Sequence, residues 1–85
     1  MAEYEIEFKR SVEKELKKIP ERDQIKILKR IAALSGDPRP NDCKKLSGQE
    51  RYRIRQGNYR ILYSIEDLKL IVTVVKIGNR RNVYE

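Results

Sequence analysis

The stretch Tyr52-Arg53-Ile54-Arg55-Gln56-Gly57-Asn58-Tyr59-Arg60-Ile61-Leu62-Tyr63 decides the fold. Apolar and polar side chains alternate on both sides of Gly57-Asn58, which is the period of a strand. Gly-Asn between two such runs is the signal of a two-residue hairpin loop. A loop of that length fixes the register. Gln56 then faces Tyr59, Arg55 faces Arg60, Ile54 faces Ile61, Arg53 faces Leu62 and Tyr52 faces Tyr63. Arg53, Arg55 and Arg60 emerge on one face of the hairpin, while Tyr52, Ile54, Tyr59, Ile61 and Tyr63 occupy the other. Like charges set directly across a hairpin are destabilising. Three arginines gathered this way point to an anion between them, and the planar guanidinium fork suits a phosphate. The plainer alternatives are pairing with Glu50, Glu66 or Glu85, or simple solvation.

Outward from the hairpin, Lys69–Ile77 reads as a further strand, with Asp67-Leu68 in the turn before it. Upstream, Asp37 to Asp42 contains Pro38, Pro40 and Asn41 and reads as a loop. Ile25, Leu28, Ile31 and Leu34 recur at helical spacing, with Ile27 beside them, so a helix runs to about Ser35, where Gly36 stops it. Pro20 suits the first position of that helix. Ser11 can cap a shorter helix ending near Lys18, with Val12, Leu16 and Ile19 as its apolar stripe. Tyr4, Ile6 and Phe8 alternate with Glu3, Glu5 and Glu7 and open the chain as a strand. The order is β-α-α-β-β-β: an α+β domain in which an antiparallel-rich sheet carries an N-terminal helical hairpin on one face. Residues 1–85 are expected to form this one domain.

The charge supports a polyanionic partner. The net formal charge is +7. Residues 1–43 hold 10 Lys/Arg against 9 Asp/Glu, and residues 44–85 hold 10 against 4, so the second half carries +6. The alternative is a basic surface that serves only solubility. The absence of histidine and the single cysteine, Cys43, exclude an intramolecular disulfide, a zinc site of the Cys/His type and catalysis that uses an imidazole base. Cys43 reads as a small, partly buried side chain after a loop. The longest nearly pure apolar stretch, Leu70 to Val75, is far short of the roughly 20 residues of a membrane span. The opening residues are alternately acidic rather than basic and then apolar, so neither a signal peptide nor a membrane partner is expected, and the cytoplasm is the expected compartment.

The tail Gly78-Asn79-Arg80-Arg81-Asn82-Val83-Tyr84-Glu85 adds two arginines and a tyrosine. An exposed tyrosine can stack on an unpaired base, a common device at RNA sites, or it can anchor the chain end. With the arginine strand face, this tail points to RNA.

The run Lys44-Lys45-Leu46-Ser47-Gly48, the hairpin, and Val74-Val75-Lys76-Ile77-Gly78-Asn79-Arg80-Arg81-Asn82-Val83-Tyr84 together resemble the core of the RelE/ParE superfamily of toxins. The likeness extends over essentially the whole chain. It implies the toxin of a type II toxin–antitoxin system. In the RelE branch, it implies an mRNA interferase that enters the ribosomal A site and cuts mRNA by attack of a 2′-hydroxyl on the adjacent phosphate. Such an enzyme needs no metal or other cofactor, and a cognate antitoxin blocks it. The catalytic positions implied are Arg53, Arg55, Arg60, Arg80 and Tyr84. Lys44, Lys45, Arg51 and Arg81 are candidates for further RNA binding. The best-known RelE-type sequences carry lysines at the positions of Arg53 and Arg55, and many relatives carry histidine at that of Asn79. Arginine does not release its proton at neutral pH, so its implied role is electrostatic rather than proton transfer. Two other readings remain open: a ParE-type inhibitor of DNA gyrase, and a decayed toxin that only binds antitoxin or ribosomal RNA.

Overall fold

The central hairpin forms in the register its turn dictates. In a computed structural model, which describes residues 3–46, 48 and 50–79, strand β3 (Tyr52–Gln56) pairs antiparallel with β4 (Tyr59–Glu66). All five pairs, from Gln56–Tyr59 to Tyr52–Tyr63, fall where the alternation places them. Gly57 makes the turn with φ of 59°, a conformation that costs glycine little. The other elements are β1 (Glu5–Phe8), α1 (Arg10–Lys17), α2 (Glu21–Ala33), β2 (Lys44–Lys45) and β5 (Ile71–Asn79). The sheet order is β1-β5-β4-β3-β2, with β1 parallel to β5 and the other neighbours antiparallel.

Several boundaries differ from the sequence reading, each for a local reason. Ser11 does not cap α1. Lys9 is still tied to the sheet through its N–H, which donates to the Val74 carbonyl (2.9 Å), so the helix begins immediately after it and Ser11 lies in the first turn. Pro20 is the N-cap of α2 rather than its first residue, and its carbonyl accepts from the N–H groups of Asp23 and Gln24. The helix ends at Ala33. Its last turn tightens through Leu34 N–H to Ile31 and Ser35 N–H to Ala32, and Gly36 is not left-handed. The two-residue β2, absent from the expected strands, forms on the edge of β3. The Asp67-Leu68 turn widens to residues 67–70, with Leu70 at φ of 55°, so β5 starts two residues later than expected.

The stripe of α2 is also narrower than its spacing suggested. Ile27, Ile31 and Leu34 are buried, whereas Ile25 and Leu28 are 51% and 41% exposed. At about 100° per residue, Ile25 lies some 200° around the helix from Ile27. A helix that packs on only one layer cannot bury both. The main core joins Val12, Ile19, Ile27, Ile31 and Leu34 to Tyr52, Ile54, Ile61, Tyr63, Val72, Val74 and Ile77 of the sheet. Tyr52 and Tyr63 stack with centroids 5.8 Å apart. The buried Tyr63 hydroxyl donates to the Pro38 carbonyl (2.8 Å), which ties the α2–β2 loop to the core. The half-buried Cys43 packs against the same core.

The helices thus cover one face of the sheet. Among the described residues the other face is left open, and a β-bulge decides what it displays. Ile61 faces Ile77 and Leu62 faces Lys76, but Tyr63 faces Val74, so Val75 is an extra residue in β5. Unbroken alternation from the buried Val74 would send Lys76 towards the helices and Ile77 outward. The bulge reverses both.

Candidate nucleic-acid interface

The open face presents two basic rows across the strands. One row is Arg55, Arg60 and Gly78; the next is Lys44, Arg53, Leu62 and Lys76. Arg55 is exposed, Arg60 half-buried and Arg53 only 8% exposed. The Nε atoms of Arg53 and Arg60 are both enclosed. Beneath the second row lies a separate apolar cluster of Leu46 and Leu62, with Val75 packed against it. Long basic side chains commonly cover apolar surface with their stems while holding their charge outward. The burial of Leu46 and Leu62 on this helix-free face fits that arrangement.

The structure brings Lys44, Arg53, Arg55 and Arg60 to one face. It does not bring Lys45 there. Lys45 pairs with Tyr52, so it points to the opposite side, and its Nζ lies 3.6 Å from Glu50 Oε1. Arg51 is exposed just before β3, and its carbonyl accepts from Leu46 N–H. Arg80, Arg81 and Tyr84 lie outside the described residues. Of the carboxylates considered as partners for the arginines, Glu50 also lies beside Lys45 and Glu66 also lies 3.8 Å from Lys69, while Glu85 is outside the described residues. At the β1 end the same face turns acidic, because the register places Glu5, Glu7 and Glu66 there.

Lys76 was not singled out from the sequence. The signal was present in the spacing of the apolar residues Val72, Val74 and Ile77, which are two and then three apart. A second feature with little sequence signal ties together the end of the sheet away from the Gly57-Asn58 turn. Arg39 donates from Nη1 and Nη2 to Asp67 Oδ1 and Oδ2 (3.1 and 2.9 Å) and from Nε to the Tyr52 hydroxyl (3.2 Å). Tyr4 also donates to Asp67 Oδ1 (2.7 Å). The hydrogen bonds from Arg39 and then Tyr4 hold the Asp67 carboxyl down at about 2. Arg30 similarly pairs with Asp42 and lowers its pKa. On the helical side, a cleft of about 290 Å³ is lined by Glu15, Lys18, Ile19, Tyr59 and Asn79. Burial and the nearby Asp23 carboxylate raise the Tyr59 phenol. This cleft contains none of the expected site residues. Among the described residues there is no group of three or more His, Cys, Asp or Glu positioned to hold a metal ion.

A small α+β domain with one helical face and one arginine-rich open face is the class that fold and surface define. Comparison with known proteins identifies the family. The sequence profile described as "ParE toxin of type II toxin-antitoxin system, parDE" matches residues 6–84. The chain is 30% identical to the protein named RelE1 of Methanocaldococcus jannaschii over 86 aligned positions, covering 96% of each. Among solved structures, the archaeal RelE–RelB complex from Pyrococcus horikoshii superposes with a TM-score of 0.83 at 27% identity, covering 94% of this chain and 98% of that one. The isolated RelE toxin of Escherichia coli gives 0.78 at 26% identity, covering 92% and 84%. The chain belongs to the RelE/ParE family of type II toxin–antitoxin toxins.

Proposed function

We propose that this toxin is a ribosome-dependent mRNA endoribonuclease held in check by a cognate antitoxin. The observation that carries the reading is the open face itself, where Arg55 and Arg60 stand directly across the hairpin with Arg53 and Lys44 in the adjoining row. Guanidinium forks and an ammonium gathered in two adjoining rows suit the successive phosphates of an RNA strand. In the proposed reaction the 2′-oxygen of one nucleotide attacks the adjacent phosphorus. The P–O5′ bond breaks, leaving a 2′,3′-cyclic phosphate and a 5′-hydroxyl. The 2′-hydroxyl proton passes to a solvent water, and a water donates a proton to the departing 5′-oxygen.

Arg60, with Arg80, would hold the scissile phosphate. Arg55 directly, and Arg53 through the field of its more buried charge, would offset the charge that builds on its oxygens. Tyr84 would stack on a base. The guanidiniums supply charge but no base at neutral pH. The rate must therefore come largely from positioning, and the ribosome is the source of positioning we propose. Several structural neighbours are toxin–antitoxin complexes, which supports an antitoxin partner that masks the basic face.

The test is primer extension on a translated message after induction without antitoxin. New ends should appear and should vanish when the start codon is removed. Ends that persist without translation would refute ribosome dependence. The ParE description of the matching profile favours a second reading, inhibition of DNA gyrase. Following plasmid supercoiling in the same cultures separates the two: altered supercoiling with intact mRNA would favour gyrase.

A further inference from the structure

We propose that Lys76 is a positioning residue for the RNA backbone, delivered to the arginine face by the β5 bulge. There it holds the phosphate next to the one at Arg60. This rests on the endoribonuclease reading above and adds to it a residue and a path for the substrate.

Three observations converge on this residue. First, the extra residue Val75 turns Lys76 outward, where unbroken alternation would have buried it against the helices. Bulges commonly re-aim side chains beside working sites. Second, Lys76 and Arg60 are diagonal neighbours, since Leu62 faces Lys76 and Arg60 faces Gly78. Such neighbours lie roughly 7–8 Å apart, within reach of long side chains. The two basic rows are two residues apart along the strands, about 6.8 Å, comparable with the spacing of successive phosphates in an extended strand. Third, the face is polar along its length. Glu5, Glu7 and Glu66 occupy the β1 end, so a phosphate chain leaving Arg60 is repelled from that end and steered along the row from Lys76 to Lys44. That row crosses three strand spacings, about 14 Å. Lys76 is exposed and Arg53 is buried, so in this row the mobile ammonium, not the guanidinium, makes the direct contact.

A lysine that meets a phosphate as a point charge should affect affinity and salt dependence more than the chemical step. The experiment uses the full chain. Binding of a fluorescent 2′-O-methyl RNA dodecamer, which cannot be cleaved, is measured against salt. Single-turnover cleavage on programmed ribosomes is measured against toxin concentration. Lys76→Gln should weaken oligonucleotide binding and raise the half-saturating toxin concentration about 3- to 10-fold, the scale of one charge-assisted surface contact. It should reduce the salt slope by about 0.7–1 and leave the maximal cleavage rate within about twofold of the parent. Lys76→Arg should restore affinity. Lys26→Gln removes the same charge from α2 and should change neither quantity. Parental affinity and salt slope in Lys76→Gln would overturn the proposal, as would a fall in maximal rate at unchanged half-saturation. If the parent binds RNA but does not cleave on ribosomes, the endoribonuclease reading fails while the Lys76 contact stands or falls on the salt slope alone. If the parent does not bind the free oligonucleotide, the endoribonuclease reading is unaffected and the Lys76 contact is decided on programmed ribosomes, where an unchanged half-saturating toxin concentration in Lys76→Gln overturns it.

Discussion

Replacing Arg60 with alanine should separate chemistry from folding. Arg60 lies directly across from Arg55, and removing one of two opposed like charges relieves roughly 0.2–1 kcal/mol. Against this, Arg60 is half-buried with its Nε enclosed, so part of a packed stem is lost, at about 0.8 kcal/mol per buried methylene. The two effects nearly cancel. The net change in stability should lie within about 1 kcal/mol, or about 4–8 °C in melting temperature for a domain of this size. On the proposed mechanism, the same substitution removes a fixed donor from the transition state, a loss of about 100- to 1,000-fold in rate. Leu62→Ala is the contrasting case. Leu62 is 4% exposed and packs with Leu46 and Val75. Its truncation should cost about 2 kcal/mol, the low end for a core leucine because the cluster is small. Thermal melts beside single-turnover cleavage on programmed ribosomes give both readings for each variant. The reasoning is refuted if Arg60→Ala cleaves at the parental rate, or if it melts as far below the parent as Leu62→Ala does.

Three further outcomes follow from the packing. Ile31→Ala should lose about 2–5 kcal/mol and Ile25→Ala less than about 0.5 in denaturant titrations, because only Ile31 faces the core. Equal losses would mean that α2 is rotated from its assigned face. Tyr63→Phe should cost about 1–3 kcal/mol by leaving the Pro38 carbonyl without its donor, read from the same titrations, and a neutral effect would remove that anchor. Asp67 is held at about 2, below its ordinary 3.8. Its stabilising contribution is therefore complete above 3.8 and is lost as pH falls through about 2. The melting temperatures of the parent and Asp67→Asn should differ near pH 6 and converge near pH 2, and a constant gap across that range would contradict the assignment.

The central hairpin and the arginine face were legible because their determinants are local: a two-residue turn and strict alternation fix the register of Tyr52–Tyr63 without reference to the rest of the chain. The helical hairpin was legible in kind but not in its faces. Ile25 and Leu28 share the period of Ile31 and Leu34, and only the placement of α2 on a single-layer sheet shows which of them stay wet. The remaining features depend on contacts distant in sequence. The two-residue β2 has no pattern of its own and exists through β3. Arg39 and Asp67 are 28 residues apart, and each alone reads as a loop charge. The bulge lies between these extremes. It breaks the period of an apolar run, a visible signal, yet a continuous run of valines around Thr73 reads equally well as an unbroken strand.

The two faces of the sheet meet opposite physical demands, and the bulge lets one strand serve both. On the helical side, β5 must supply Val72, Val74 and Ile77 to the main core. On the open side, the proposed chemistry needs cations beside the hairpin arginines. Strict alternation cannot satisfy both, because Val74 and Ile77 are an odd number of residues apart and would fall on opposite faces. Inserting Val75 puts both in the core, turns Lys76 outward and adds an apolar contact to Leu62. The main core lies wholly on the helical side, so charge can gather on the other side while costing the fold only the local repulsion between strands. Arg53 shows where that tolerance ends. Within the open face it alone among the described hairpin arginines is buried, where a charge acts through a stronger field than at an exposed position and where it faces Leu62 across the hairpin. Stability and the proposed function therefore compete for Arg53, whereas Arg55 and Lys76, both exposed, are open to contact a ligand without disturbing the core.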